Sequence, residues 1–351
     1  YNEYILSFLM ITNREISDIR EFMEESNNPV FLFDDDCDGT CSYLLLKKFY
    51  KKGEGIIVKS SPSLDERHLG LISDKKPDLL VILDKPVVKQ EFIDKIKTKI
   101  VWIDHHPVQK MKNVNYYNPR NNDSSDNRPT TYMAYSVTKS DLWIATIGCV
   151  FDHYIPDFIE EFIKEYPDLL DRKPRDPGEA LYTKRLGKLV RIFSLNLKGK
   201  AKDVRKSIKA LEKIDSPYDI LDRRTEYGTM LFSRYEKLNK EYECLLEEAK
   251  NKVTHEKLFI FIYPSAATSF TSELCNELTY LYPDKFIIVG RKKDGEIRMS
   301  LRSKRINISD VLKKALVGIK GYGGGHDYAC GGAVKEEDFE RFIENIKELI
   351  K

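Results

Sequence analysis

Four short runs in the first third of the chain, PVFLFD (29–34), GIIVKS (55–60), DLLVILD (78–84) and KIVWID (99–104), are apolar along nearly their whole length. A strand with one wet face alternates polar and apolar residues; a strand that is apolar throughout must be covered on both faces. Helical stretches separate the runs, among them SYLLLKKFYKK and KQEFIDKIKT. This alternation predicts an α/β fold on a parallel sheet. In such sheets ligands collect at the carboxyl ends of the strands. Three of the four runs lead directly into an aspartate: Asp34, Asp84 and Asp104.

The remainder divides by pattern. NPRNNDSSDNRP (118–129) reads as a polar, turn-rich loop, followed by helices through TTYMAYSVTKSDLWIATIGCVF. DRKPRDPGEA (171–180) reads as the end of a first domain, 1–178. A helical connector, 179–254, is basic early and Glu-rich late. A second α/β domain, 255–351, has strands in KLFIFIYP, KFIIVGR and GEIRMSLRS, helices in SELCNELTYLY and near 309–318, the glycine-rich run GYGGGHDYACGGAV, and a helix at 336–351.

Composition narrows the class. With 41% hydrophobic and 32% charged residues, the chain is expected to be soluble and globular. No apolar run approaches the ~18 residues of a membrane span, and no secretory leader pattern is present. Six cysteines without a CxxC pair fit reduced thiols in a cytoplasm. Residues 184–213 hold eleven Lys and Arg against two acids, a local +9 in a chain of net +2. Such a segment suits a protein that grips a polyanion, although a solvated helix face has the same composition.

FLFDDDCDGTCS (31–42) crowds Asp34, Asp35, Asp36 and Asp38 into five positions. The string D-x-D-x-D-G opens an EF-hand loop, but the twelfth position, which should be Glu, is Leu45, and a strand precedes it. DCDGT also matches the haloacid-dehalogenase phosphatases, whose chemistry gives no role to two adjacent histidines. IDHHP (103–107) has such a pair, His105 and His106, at the end of a buried strand. Aspartate and imidazole without thiolate suit Mn2+ or Mg2+, with zinc or cobalt as alternatives.

At DDDCDGTCS, Asp84 in ILDKP, DHH (104–106), Asp152 in GCVFD, MSLRS (299–303) and GYGGGHDYACGG (321–332), the chain resembles the DHH phosphoesterase superfamily, and within it the compact archaeal-type RecJ-like exonucleases. It departs at LDKP, where L-D-x-G is commoner, and at Cys37; no nucleic-acid-binding OB domain is present in this sequence. The resemblance implies a parallel-sheet DHH domain joined by the connector to a smaller α/β DHH-associated domain, with substrate held at a cleft between them. It implies two divalent ions, Mn2+ or Mg2+. Asp34 and Asp36 are assigned to one, Asp38, His105 and Asp152 to the other, with Asp84 as the bridge. Asp104 is expected to orient a histidine, and His106 to meet the scissile phosphate. Arg302, Ser303, Gly324, Gly325 and His326 are expected to bind substrate. Asp35 points the other way and is expected in solvent or behind the site. Thr40 and Ser42 are expected to cap a helix starting near Gly39. The expected reaction is exonucleolytic hydrolysis of single-stranded DNA or RNA. The alternatives are a phosphoesterase for short oligonucleotides, nucleoside bisphosphates or cyclic dinucleotides, and a non-catalytic replication scaffold. A helicase or replisome protein is a possible partner, and a membrane is not.

Overall fold

The computed structural model describes residues 11–59, 63–265 and 268–351. The chain forms two compact units, Tyr1–Ser233 and Arg234–Lys351.

The first unit begins with α1 (Asn13–Glu25), β1 (Pro29–Asp34), α2 (Cys37–Tyr50), β2 (Glu54–Val58), the two-residue β3 (Ser63–Leu64), β4 (Leu79–Leu83) and the two-residue β5 (Val87–Val88). It continues with α3 (Gln90–Lys95), β6 (Lys99–Ile103), β7 (Asn115–Tyr117), α4 (Thr130–Thr138), α5 (Leu142–Phe151) and α6 (Ile159–Glu165). Then come α7 (Pro177–Thr183), α8 (Arg185–Asn196), α9 (Ala201–Leu211), α10 (Pro217–Leu221) and α11 (Glu226–Asn251), in which the boundary between the units falls.

Five strands form an all-parallel sheet in the order β2-β1-β4-β6-β7, so every carboxyl end lies at one edge. Strands β1, β4 and β6 are buried on both faces, as their unbroken apolar sequence requires. On one face Val30, Leu32, Leu80, Ile82, Ile100 and Trp102 form a core with Phe92 and Ile93 of α3. On the other, Tyr43 of α2 stacks on Phe33 with ring centroids 4.6 Å apart. Each large apolar side chain buried this way contributes about 1.5–3 kcal/mol, which anchors the strand ends that carry the aspartates.

Two local features differ from the sequence-based expectation. The helix after β1 starts at Cys37, and its cap is Asp36, whose Oδ1 accepts from Gly39 N at 3.0 Å. Thr40 and Ser42 lie inside α2; Ser42 Oγ donates back to Asp38 O at 2.8 Å. The helices expected through 130–151 are α4 and α5, separated where Lys139 and Asp141 adopt left-handed backbone at φ +50° and +53°. Strand β7, NYY, is too short and too polar for its pattern to announce it; Trp102 stacks on its Tyr116 at 3.9 Å. Helices α8 and α9, which carry the basic segment, fall within the compact unit Tyr1–Ser233.

The second unit contains β8 (Leu258–Tyr263), α12 (Thr271–Leu281), β9 (Phe286–Lys293), β10 (Glu296–Arg302), α13 (Ile308–Ala315), β11 (Gly321–His326), β12 (Ala329–Lys335) and α14 (Phe339–Leu349). Its sheet runs β11-β12-β10-β9-β8, antiparallel except for the β8–β9 pair. Helices α13 and α14 cover one face through Ile308, Leu312, Phe342 and Ile346. The glycine-rich run is therefore a hairpin, with β11 as an exposed edge strand. Among the described residues no helix is long and apolar enough to cross a membrane.

Candidate active site

The carboxyl edge of the parallel sheet gathers the acidic residues and histidines singled out in the sequence. Asp34 ends β1, Asp84 follows β4, Asp104 follows β6, and Asp36 and Asp38 open α2. Asp152 terminates α5 as its C-cap. Three sets of carboxylate and imidazole donors lie within 4.8 Å of one another: Asp34, Asp36 and Asp84; Asp38, His105 and Asp152; and Asp84, His105 and His106. Asp84 and His105 each belong to two sets. Asp84 thus stands between Asp34 and Asp36 on one side and His105 on the other.

Backbone geometry makes this convergence possible. Asp84 has φ +56°, a left-handed conformation that Asp and Asn tolerate better than most residues. Its N–H still donates to Ile103 O at 3.0 Å, while the chain turns away from the strand. Gly39 lets α2 start against β1: a Cβ there would stand 2.8 Å from Asp34 N and 2.9 Å from Asp34 O.

Asp38 is buried, and each of its oxygens accepts a backbone N–H from the start of α4. Thr130 N donates to Oδ2 at 2.9 Å and Thr131 N to Oδ1 at 2.7 Å. Thr130 Oγ1 donates to Asp84 Oδ1 at 3.2 Å. His105 Nε2 is 3.5 Å from Asp84 Oδ1, 3.6 Å from Asp152 Oδ2 and 3.8 Å from Asp38 Oδ2. His106 Nδ1 is 2.8 Å from Asp104 Oδ1. Asp104 is buried, and its Oδ2 also receives His106 N at 3.2 Å, Tyr116 Oη at 3.2 Å and Asn118 Nδ2 at 3.4 Å. The histidine beside Asp104 is therefore His106. Asp35 is half-buried.

The electrostatics call for cations. Burial, then repulsion from Asp36, pushes Asp34 up to about 7 even though Lys85 opposes the shift. Burial and the charge of Asp38 push Asp36 up to about 6. Burial is the leading cause that raises Asp38, Asp84 and Asp152 too. For His106, burial works downward, but the hydrogen bond and charge of Asp104 carry it above the usual imidazole value. Five aspartates and a histidine converging in an interior, where Lys85 pairs with Asp34, form a donor set that fits hard divalent ions.

Sequence reasoning missed Thr130, Thr131, Tyr116, Asn118 and Lys85 as neighbours of this cluster. A signal existed for two of them: Pro-Thr-Thr at the close of a polar loop marks a helix start, whose first N–H groups need acceptors. Lys85 was visible only as the unrestricted residue of LDKP, ahead of the departing Pro86. It is fully buried, and its Nζ pairs with Asp34 Oδ1.

The other expected site residues lie in the second unit. Arg302 Nε donates to Asn276 Oδ1 at 2.7 Å, and its terminal nitrogens to Ser272 Oγ, Leu301 O and Cys330 O. The Ser303 hydroxyl accepts from Arg305 N and Ile306 N, both at 3.2 Å. Gly324, Gly325 and His326 lie on the exposed edge strand. A Cβ on Gly324 would meet nothing within 4 Å, whereas Gly325, at φ +147°, passes too close to Ala329 O for a side chain.

Residues 30–170 match the model of the DHH family, N-terminal domain, and residues 257–351 that of the DHHA1 domain. The chain belongs to the DHH superfamily. Its fold is the RecJ type. RecJ from Thermus thermophilus, solved with Mn2+, superposes with a TM-score of 0.70 at 15% identity over 97% of this chain. The chain spans 55% of the length of that RecJ. A second exonuclease RecJ bound to manganese matches with a TM-score of 0.66 at 13% identity, covering 98% of this chain and 96% of its own. PggH of Vibrio cholerae, a pGpG-specific phosphodiesterase, gives a TM-score of 0.52 at 15% identity, covering 92% and 98%. No curated protein matches this sequence.

Proposed function

We propose that this DHH protein is a metal-dependent phosphodiesterase, and specifically a RecJ-like exonuclease that hydrolyses single-stranded DNA or RNA. The convergence of Asp34, Asp36, Asp38, Asp84, His105 and Asp152 at the carboxyl edge of the sheet carries the reading. In it, Asp34 and Asp36 would hold one divalent ion, Asp38, His105 and Asp152 a second, and Asp84 would contribute to both. Two such ions, Mn2+ or Mg2+, would when bound supply charge neutralisation at a phosphodiester and activation of water near neutral pH. The chain's own residues do the rest. Asp104 holds Nδ1 of His106, which turns the ring's other nitrogen into the substrate-facing one, and that nitrogen contacts the scissile phosphate. The α4 amides hold Asp38 in position. In the second unit, Arg302, Ser303, Gly324, Gly325 and His326 are the proposed substrate contacts, and the space beside Gly324 is open.

One contact supports a polymer substrate. Lys59, just past the end of β2, donates to Leu197 O and Gly199 O, both at 3.2 Å. That ties the turn between α8 and α9 to the strand beside β1, at the edge of the sheet where Asp34 lies. Lys200, Lys202, Arg205 and Lys206 follow, all exposed. Cations there suit a polyanionic strand leading to the site.

The test is Mn2+-dependent degradation of end-labelled 20-mers of DNA and RNA beside dinucleotides, with Asp84→Asn as control. Progressive shortening of the 20-mers that the substitution abolishes is the expected result. Cleavage of dinucleotides alone would move the assignment to a short-substrate phosphodiesterase. A folded, metal-binding protein that cleaves neither would refute the enzymatic reading in favour of a scaffold.

A further inference from the structure

Among the described residues, Lys85 is the lysine or arginine seen to pair with the aspartates of this centre. It is fully buried and paired with Asp34 Oδ1. Asp34 shares a donor set with Asp36 and Asp84. We propose that Lys85 is a built-in monovalent cation on the Asp34–Asp36 side of the centre, so that the two metal positions are unequal: one divalent ion binds tightly with Asp38, His105, Asp152 and Asp84, and the second binds weakly. The inference rests on the divalent-metal reading of the site and deepens it.

Three observations carry it. First, the backbone aims Lys85 inward. In an extended strand, adjacent side chains point to opposite faces, but the left-handed turn at Asp84, φ +56°, breaks that alternation. Pro86 then restricts Lys85 to extended backbone, and Gln109 Nε2 holds Pro86 O at 2.6 Å. Second, the ammonium is not easily displaced. Admitting a divalent ion at Asp34 would require breaking this buried ion pair, which costs free energy. Third, the charges of the two sides differ. Asp34 and Asp36 together bring two negative charges and Lys85 offsets one. Asp38 and Asp152 bring two, and their partners are the neutral N–H groups of Thr130 and Thr131 on Asp38 and the imidazole of His105. Cation affinity in oxygen-rich sites follows ligand charge. An ion near Asp34 would also meet the repulsion of the ammonium.

The experiment is Mn2+ titration of the metal-depleted full chain by calorimetry, with electron paramagnetic resonance reporting whether one or two ions are bound and coupled. The expected wild-type result is one tight ion and a second weaker by about tenfold or more. In Lys85→Met, which keeps most of the length of the side chain and removes its charge, the two affinities should converge and the coupled two-ion signal should appear at lower Mn2+. Asp34→Asn should leave the tight ion's affinity within about threefold of wild type, a change worth under about 1 kcal/mol. Two ions of equal affinity in the wild type would overturn the role of Lys85 and leave the metal reading intact. A folded Lys85→Met titrating like wild type would do the same. If that variant does not fold, wild type and Asp34→Asn decide the matter. Absence of any Mn2+ binding by the wild type would instead remove the metal reading itself.

Discussion

Replacing Asp84 with Asn separates the stability of this centre from its function. Asp84 is buried, with Asp34 and Asp36 donors within 4.8 Å; burial, then repulsion from Asp38, Asp36, Asp34 and Asp152, raises its pKa. At 4.8 Å, two carboxylate charges repel by about 3.5 kcal/mol at an effective dielectric of about 20. Proton uptake by the raised carboxylates and the charge of Lys85 absorb part of that cost. The expected net gain on neutralising Asp84 without metal is therefore about 1–3 kcal/mol. Asn suits the left-handed backbone at this position and can still accept from Thr130 Oγ1, so no new strain offsets the gain. Alanine would add about 1 kcal/mol of backbone strain and confuse the comparison. The assay is thermal unfolding in EDTA and in excess Mn2+. In EDTA the variant should melt about 2–10 °C above wild type. Mn2+ at a hundredfold excess over its dissociation constant should stabilise wild type by about 2.7 kcal/mol, and the variant by less than a third of that. A variant that melts below wild type in EDTA and keeps the full Mn2+ shift would refute the reasoning.

The same cluster predicts an inverted pH response without metal. Asp34 at about 7 and Asp36 at about 6 hold protons in the folded state that the unfolded chain, at 3.8, has released. Stability from these groups therefore falls as pH rises from about 4 to 7, so Asp34→Asn should flatten the profile of melting temperature between about pH 5 and 7.5 in EDTA, and an unchanged slope would count against it. Gly39→Ala drives a Cβ into the Asp34 backbone at 2.8 Å; a loss of about 3 kcal/mol or more in urea unfolding is expected, together with loss of Mn2+ binding. Asp104→Asn disturbs the tautomer and orientation of His106; turnover should fall at least about tenfold with Mn2+ affinity nearly unchanged, and equal losses in both would place His106 on a metal instead. Replacing Lys202, Arg205 and Lys206 by Gln should weaken binding of 20-mers and reduce its salt dependence by up to about two to three units of slope, while dinucleotide cleavage stays constant.

Much of the architecture was legible from local patterns, and the reason is physical. Unbroken apolar runs such as DLLVILD have no stable setting except a sheet covered on both faces, and hydrophobic burial acts on them wherever they lie. Aspartates at the ends of those runs must then share the carboxyl edge, so Asp34, Asp84 and Asp104 were marked before any coordinates. Asp36, Asp38, His105 and Asp152 were reached with the help of the family resemblance, and the fold brings them to that edge.

Contacts between segments far apart in sequence were beyond that reading. The amides of Thr130 and Thr131 reach Asp38 across 92 and 93 residues, and Lys85 reaches Asp34 across 51. The left-handed backbone at Asp84, Lys139 and Asp141 has no glycine to announce it. The glycine-rich hairpin reads as a loop until β12 pairs with β10. By itself, then, the sequence determined the layered fold and the acidic edge, because apolar periodicity and strand polarity are local. Only the tertiary structure decided which carboxylates face an amide, a hydroxyl or the ammonium of Lys85, because that partnering depends on where distant turns come to rest.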